Sequence, residues 1–180
     1  EFNFTPNGNG LNLAITSSDP NDTGNYVRNV RIVHESHLEL FEAGEIFAPE
    51  YLDLVQDFRT LRFMKLMDTN NNPKFAEGDF EDRFPADYYS YNLGTSGTIR
   101  NGMPIDVIIE LANKAGVDPW INVPLNASDN FVQGMAKFIE ANLDPKLVAH
   151  VELGNENWNG AFDTYRYAMQ EAVNLSLIHI

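Results

Sequence analysis

From residue 29 onward the apolar residues switch repeatedly between two spacings, and that alternation limits the folds open to this chain. Asn29-Val30-Arg31-Ile32-Val33-His34 reads as a strand. Residues 49–60 then place Leu52, Val55 and Phe58 at helical spacing, with Pro49 near the first turn. Residues 61–66 are strand-like again. Beyond a long polar stretch, a helix is expected over 105–115, stopped by Gly116, and a strand over 120–124. A helix over 129–142, a strand over 149–153 and a helix over 162–174 complete the series. Strand followed by helix, four times, predicts an α/β fold with a parallel sheet. No Gly-rich phosphate loop follows any of these strands, which weighs against a nucleotide-binding doubly wound sheet. A (β/α)8 barrel takes about 250 residues, so four units correspond to its N-terminal half.

The flanks read differently. Residues 2–26 alternate apolar and polar positions between the turn signals NGNG and SSDPNDTGN, as short antiparallel strands do. Residues 1–26 are therefore expected to be the end of an upstream β-rich domain, and 27–174 the half barrel. The cluster from Asp19 to Gly24 reads as a solvated turn, because it lacks the spaced oxygens and terminal Glu of a calcium loop. The last six residues, LSLIHI, break the helical pattern before them and also translate a sequencing-adaptor end (CTG-TCT-CTT-ATA-CAC-ATC). Residues 175–180 are accordingly expected to be a non-biological tail, and His179 is given no functional weight. The chain is expected to be a fragment, since Glu1-Phe2-Asn3-Phe4 has neither an initiator Met nor a signal pattern.

Charge narrows the partners. Twelve Lys and Arg against 26 Asp and Glu leave a formal charge of −14. Binding nucleic acid or an anionic membrane needs clustered basic residues, so neither partner is expected. A neutral polysaccharide or oligosaccharide is compatible with this balance. There is no cysteine, hence no disulfide framework and no thiolate metal site. His34 and His37 lack a third ligand in the sequence, and no metal or cofactor is expected.

The chemistry concentrates in VELGNENWNG, residues 151–160. In a barrel of this kind, catalytic residues sit at the C-terminal ends of the strands and in the loops beyond them. Glu156 at such a tip can protonate a sugar's leaving oxygen. Asn155 can hold a sugar hydroxyl, and Trp158 can offer a flat face to ring C–H groups. The plainer alternative is a strand-to-helix turn, with Asn155 as a helix cap and Trp158 in the core.

With its strand order, this motif resembles the clan of retaining (β/α)8-barrel glycoside hydrolases, and within it secreted bacterial cellulase-like proteins. The runs LRFMKLMDTN, GMPIDVIIELANKAGVDPWINVP and VELGNENWNG carry the resemblance across most of residues 27–170. It implies hydrolysis of O-glycosidic linkages, of β type, in a polysaccharide or oligosaccharide, with Glu156 as acid/base. A Glu on a seventh strand would be the nucleophile, and the location would be extracellular or the cell surface. Two positions depart from the pattern: Lys65 stands where an acid is expected, and Leu125 where relatives often place a His. The rival readings are a non-catalytic carbohydrate-binding barrel and an enzyme of unrelated chemistry on the same fold.

Individual residues divide between chemistry and packing. A catalytic Glu156 calls for partial burial and a second carboxylate nearby, both of which hold a proton on the acid. Strand parity points 152, 154 and 156 the same way, which places Glu152 deeper inside, where Arg62 or Arg31 is its natural partner. Arg62 could instead orient the nucleophile. Trp120 is expected to pack the barrel. Asn122 and Asn126 are candidate hydroxyl ligands, with turn hydrogen bonding as the alternative. Tyr88, Tyr89 and Tyr91 form an aromatic cluster that either lines a glycan cleft or packs its loop; Tyr89 is the candidate ligand.

Overall fold

The computed structural model describes residues 5, 8, 14–28, 30–71, 74–88, 91 and 102–175. They fall into two units, Glu1–Ile46 and Phe47–Ile180.

In the first unit no described residue is buried. Its regular structure is a 3-10 turn, Glu35–His37, running into the short helix α1, Leu38–Glu42. The Asp19 carboxylate accepts hydrogen bonds from the Thr23 and Gly24 backbone amides and from the Thr23 hydroxyl, closing the expected solvated turn. One sequence expectation fails in this unit: residues 30–34 contain no strand. The described part of residues 2–26 contains none either, but most of residues 2–13, where the alternation begins, lies outside the described residues. Val30 and Ile32 have strand-like character but are 51% and 62% exposed. A strand needs a partner's ladder as well as β-branched residues, and none is present there among the described residues.

The second unit is mixed α/β. Its parallel sheet runs β1 (Thr60–Arg62), β2 (Asp118–Val123), β3 (His150–Leu153), in chain order. Arg62 pairs with Trp120, Trp120 with His150, and Asn122 with Glu152. Around these strands lie α2 (Pro49–Val55), α3 (Ile105–Ala115), α4 (Asp129–Asn142) and α5 (Asp163–Asn174). Helix α2 ends five residues before the expected limit. The strand expected over 61–66 stops at Arg62, because Met67 and Thr69 bond back to the carbonyls of Phe63 and Met64 and turn the chain.

Helix α3 carries the core. Ile105, Ile108, Ile109 and Leu111 are buried and cluster with Phe63, Ile121, Val123 and, on α4, Phe131 and Met135. Gly116 ends α3 at φ 68°, a left-handed conformation that suits a residue without a Cβ, and its N–H bonds to the Ala112 carbonyl. Ser128 caps α4, its hydroxyl accepting from the Phe131 amide and donating to the Gly78 carbonyl. At Gly134 a Cβ would lie 2.3 Å from the Phe80 Cβ, so α4 meets that ring across a bare backbone. Strand β3 is covered less than its composition demands: Val151 and Leu153 are 61% and 63% exposed.

Candidate active site

The loops at the C-terminal ends of β1 and β3 bring together residues from three segments. Arg62, the last residue of β1, donates from Nε and Nη2 to both carboxylate oxygens of Glu152, at 2.7–3.2 Å. The same Nη2 donates to Asn155 Oδ1 at 2.8 Å, and Asn155 Nδ2 donates to Asn70 Oδ1 at 2.9 Å. Trp120 lies beneath the guanidinium, 5.1 Å from ring centroid to Cζ, and its indole N–H donates to Glu152 at 2.9 Å. Asn122 is fully buried, lies opposite Glu152 in the sheet, and donates from Nδ2 to the Gly154 carbonyl at 2.8 Å. Glu152 is thus the centre of a charge-assisted network. Partial burial pushes its carboxyl toward a higher pKa, but the Arg62 guanidinium, the neighbouring Asn122 amide and the Trp120 indole outweigh that and hold it below the ordinary value.

The motif itself turns sharply after β3. Gly154 has φ 66° and Glu156 φ 45°, both left-handed, and only the first can adopt that region without steric cost. The Gly154 amide bonds to the Val123 carbonyl at 2.7 Å. A Cβ at Gly154 would come within 2.4 Å of Asn157 Oδ1, so no other residue fits that position unshifted. These two left-handed residues end the two-residue periodicity. Asn155 is therefore the residue that joins Glu152 on Arg62, and Glu156 turns out to solvent, contrary to the expected common parity of 152 and 156.

Each expected site residue has a place. Glu156 is exposed rather than partly buried, and Asn159 Nδ2 donates to its Oε2 at 2.8 Å. Trp158 is 76% exposed, which removes the core alternative for it. Asn155 is buried, with both ends of its amide engaged by protein. Arg62 takes Glu152 as partner, as strand parity implied. Asn122 and Asn126 are not open to a ligand: both are buried, and Asn126 braces the loop by donating to Glu77 at 3.1 Å. Trp120, expected to be packing, belongs to the polar network. Tyr88 stacks edge-on against Phe84, Tyr91 donates to the Ala86 carbonyl, and Tyr89 lies outside the described residues. Among the described residues no group of His, Asp and Glu is arranged to hold a metal ion.

Sequence reasoning missed Asn70 and Asn159. Asn159 is three residues beyond Glu156, a local signal that could have been read. Asn70 is 85 positions from Asn155, and nothing in the sequence announces that contact. A cavity of about 30 Å³ between α3 and α4 is lined by Met67, Met103, Met135 and Phe131 among others, and by no residue of the motif. Among the described residues no helix is long and apolar enough to cross a membrane. No family model, curated protein or solved structure matches the chain.

Proposed function

We propose that this chain is the N-terminal half of a (β/α)8 barrel belonging to a retaining glycoside hydrolase that acts outside the cell on a neutral, β-linked polysaccharide or oligosaccharide. The observation that carries the proposal is the turn after β3: a carboxylic acid held in left-handed backbone at a strand's C-terminal tip, exposed, with an exposed indole two residues on. Strain at such a position is costly, on the order of 1–3 kcal/mol, and is found where a side chain must be aimed. The sheet is compatible with this reading, because its parallel strands follow chain order as in a barrel, an order that one half of a doubly wound sheet shares. The open apolar face of β3 is likewise what a strand shows when its helix layer and next neighbour are missing.

In this reading Glu156 gives its proton to the glycosidic oxygen as that C–O bond breaks. A carboxylate from a later strand attacks the anomeric carbon and forms a glycosyl ester. Glu156, now a carboxylate, takes a proton from water, whose oxygen attacks the same carbon and releases the second carboxylate. Trp158 offers a stacking face, and Asn155 beside Glu156 is held by Arg62 at 2.8 Å.

A non-catalytic carbohydrate-binding barrel is the second reading, favoured by one observation: Glu156 is exposed and engaged by an amide rather than by a second carboxylate. The two separate on Glu156→Gln in the completed barrel. Hydrolysis of natural glycans, whose leaving groups need a proton, is expected to fall by about 10²–10⁴, and that of activated aryl glycosides far less. Equal losses on both substrates, or no turnover to lose, would remove Glu156 as the acid.

A further inference from the structure

Asn159 is followed by Gly160, and its amide is held in an unusual setting. Its Oδ1 accepts the Ala161 backbone N–H at 3.0 Å, and its Nδ2 donates to Glu156 Oε2 at 2.8 Å. The first contact polarises the amide carbonyl and makes Cγ more electrophilic, as hydrogen-bond donors do for any carbonyl under attack. The second places the leaving nitrogen against a carboxyl group that can relay a proton to it. Gly160 has no Cβ, and a Cβ built there would meet nothing nearer than Tyr165 at 3.8 Å, so the residue that follows Asn159 adds no side-chain bulk to the turn.

From this geometry we infer that Asn159 is a site of spontaneous deamidation that rewires the environment of Glu156. The Gly160 nitrogen attacks Asn159 Cγ, the new N–C bond forms, its proton is lost, and the Cγ–Nδ2 bond breaks to release ammonia. Water then opens the cyclic imide at either carbonyl, leaving aspartate or its β-linked isomer. The net change is one water consumed and one ammonia released, with no oxidant, metal or enzyme.

The product replaces a donor on Glu156 by a second carboxyl group. Two carboxylates at hydrogen-bonding distance do not both remain ionised readily, so the pair retains one proton to higher pH than an isolated acid. The charged side chains that follow on α5, Asp163 and Arg166, are engaged with each other at 2.7 Å. The consequence for catalysis rests on the proposed function, in which Glu156 is the acid. The modification itself does not depend on that function.

The test is peptide mapping by mass spectrometry of the chain incubated at mildly alkaline pH. Asn159 is expected to convert, with the isomer detected by an isoaspartyl methyltransferase, on the order of tenfold faster than Asn155 or Asn157, neither of which precedes a glycine. Gly160→Ala, which the open space tolerates, is expected to slow it by roughly the same factor. The other Asn-Gly pairs, at Asn7, Asn9 and Asn101, fall in separate peptides and do not confuse the reading. Retention of the Asn159 amide for as long as those of Asn155 and Asn157 would overturn the inference. In Asn159→Asp, carboxyl ¹³C titration is expected to show two separated steps, one above the ordinary carboxylate range; two coincident ordinary steps would overturn the coupling to Glu156. Both readouts are independent of glycan hydrolysis, so an inactive barrel with rapid conversion would count against the proposed function alone.

Discussion

Glu152 is firmly anchored, with a guanidinium and an indole both donating to one carboxylate. Its carboxyl titrates lower in the folded chain than in the unfolded one, so the unfolded chain takes up the proton first as the solution is acidified. The stability it contributes is complete above the unfolded carboxyl's pKa, about 4.3, and is lost as pH falls through the lower folded value. Thermal unfolding of the wild type and of Glu152→Gln is therefore expected to differ near neutrality and to converge in acid; a gap that persists unchanged into strong acid would show that the charge is not the source. The pairing of Arg62 with Glu152 was legible in the sequence because both residues lie inside regular strands, where parity holds. The placement of Asn155 and Glu156 was not, because a left-handed glycine ends parity and its φ leaves no trace in the residue order.

At the scale of elements, helices were read more closely than strands. The bounds of α3 and α4 coincide with those expected, since apolar periodicity, a following glycine and a preceding serine all act within a few residues. Strands depend on partners far along the chain, and the segment over 30–34 shows the failure: it is composed like a strand but has no ladder. Helix α4 also carries a local conflict, for Gly134 is a poor helix former in mid-helix. The Phe80 ring explains it, being clamped between Arg83 at 4.1 Å and the rings of Phe131 and Phe138 at 5.5 and 5.6 Å. Gly134→Ala gains about 1 kcal/mol of helix propensity, but it drives a methyl group into Phe80 Cβ, which no rotamer change can withdraw. Overpacking of this kind costs about 1–3 kcal/mol, so urea unfolding is expected to show a net loss; a stabilised variant would mean that α4 does not pack on Phe80 so closely.

At the scale of the whole molecule, two features stand out among the described residues and in the sequence: the exposed side chains of the edge strand β3 and a large negative charge. The free edge of β3, together with Val151 and Leu153, is a surface suited to pairing with another strand. The net charge of −14 opposes that contact by mutual repulsion. Salt screens repulsion over about 10 Å at 0.1 M, so sedimentation is expected to show association that grows with both protein and salt concentration. Leu153→Lys is expected to reduce it, and a monomer at every salt concentration would show that the face is not adhesive. The α/β class was legible from the alternation of periods alone, whereas the exposure of β3 could not be, since it depends on what else packs against the sheet.

The bond between Arg62 and Glu152 joins positions 90 residues apart. During synthesis at about 5–20 residues per second, roughly 5–20 s separate the emergence of the two partners. Through that interval the guanidinium has no carboxylate to meet, and β1 has no completed sheet to hold it. The same contact that makes the site rigid in the finished molecule thus makes it a late event in the molecule's assembly, and the stretch between the two residues is the time in which a chaperone or a protease finds the chain open.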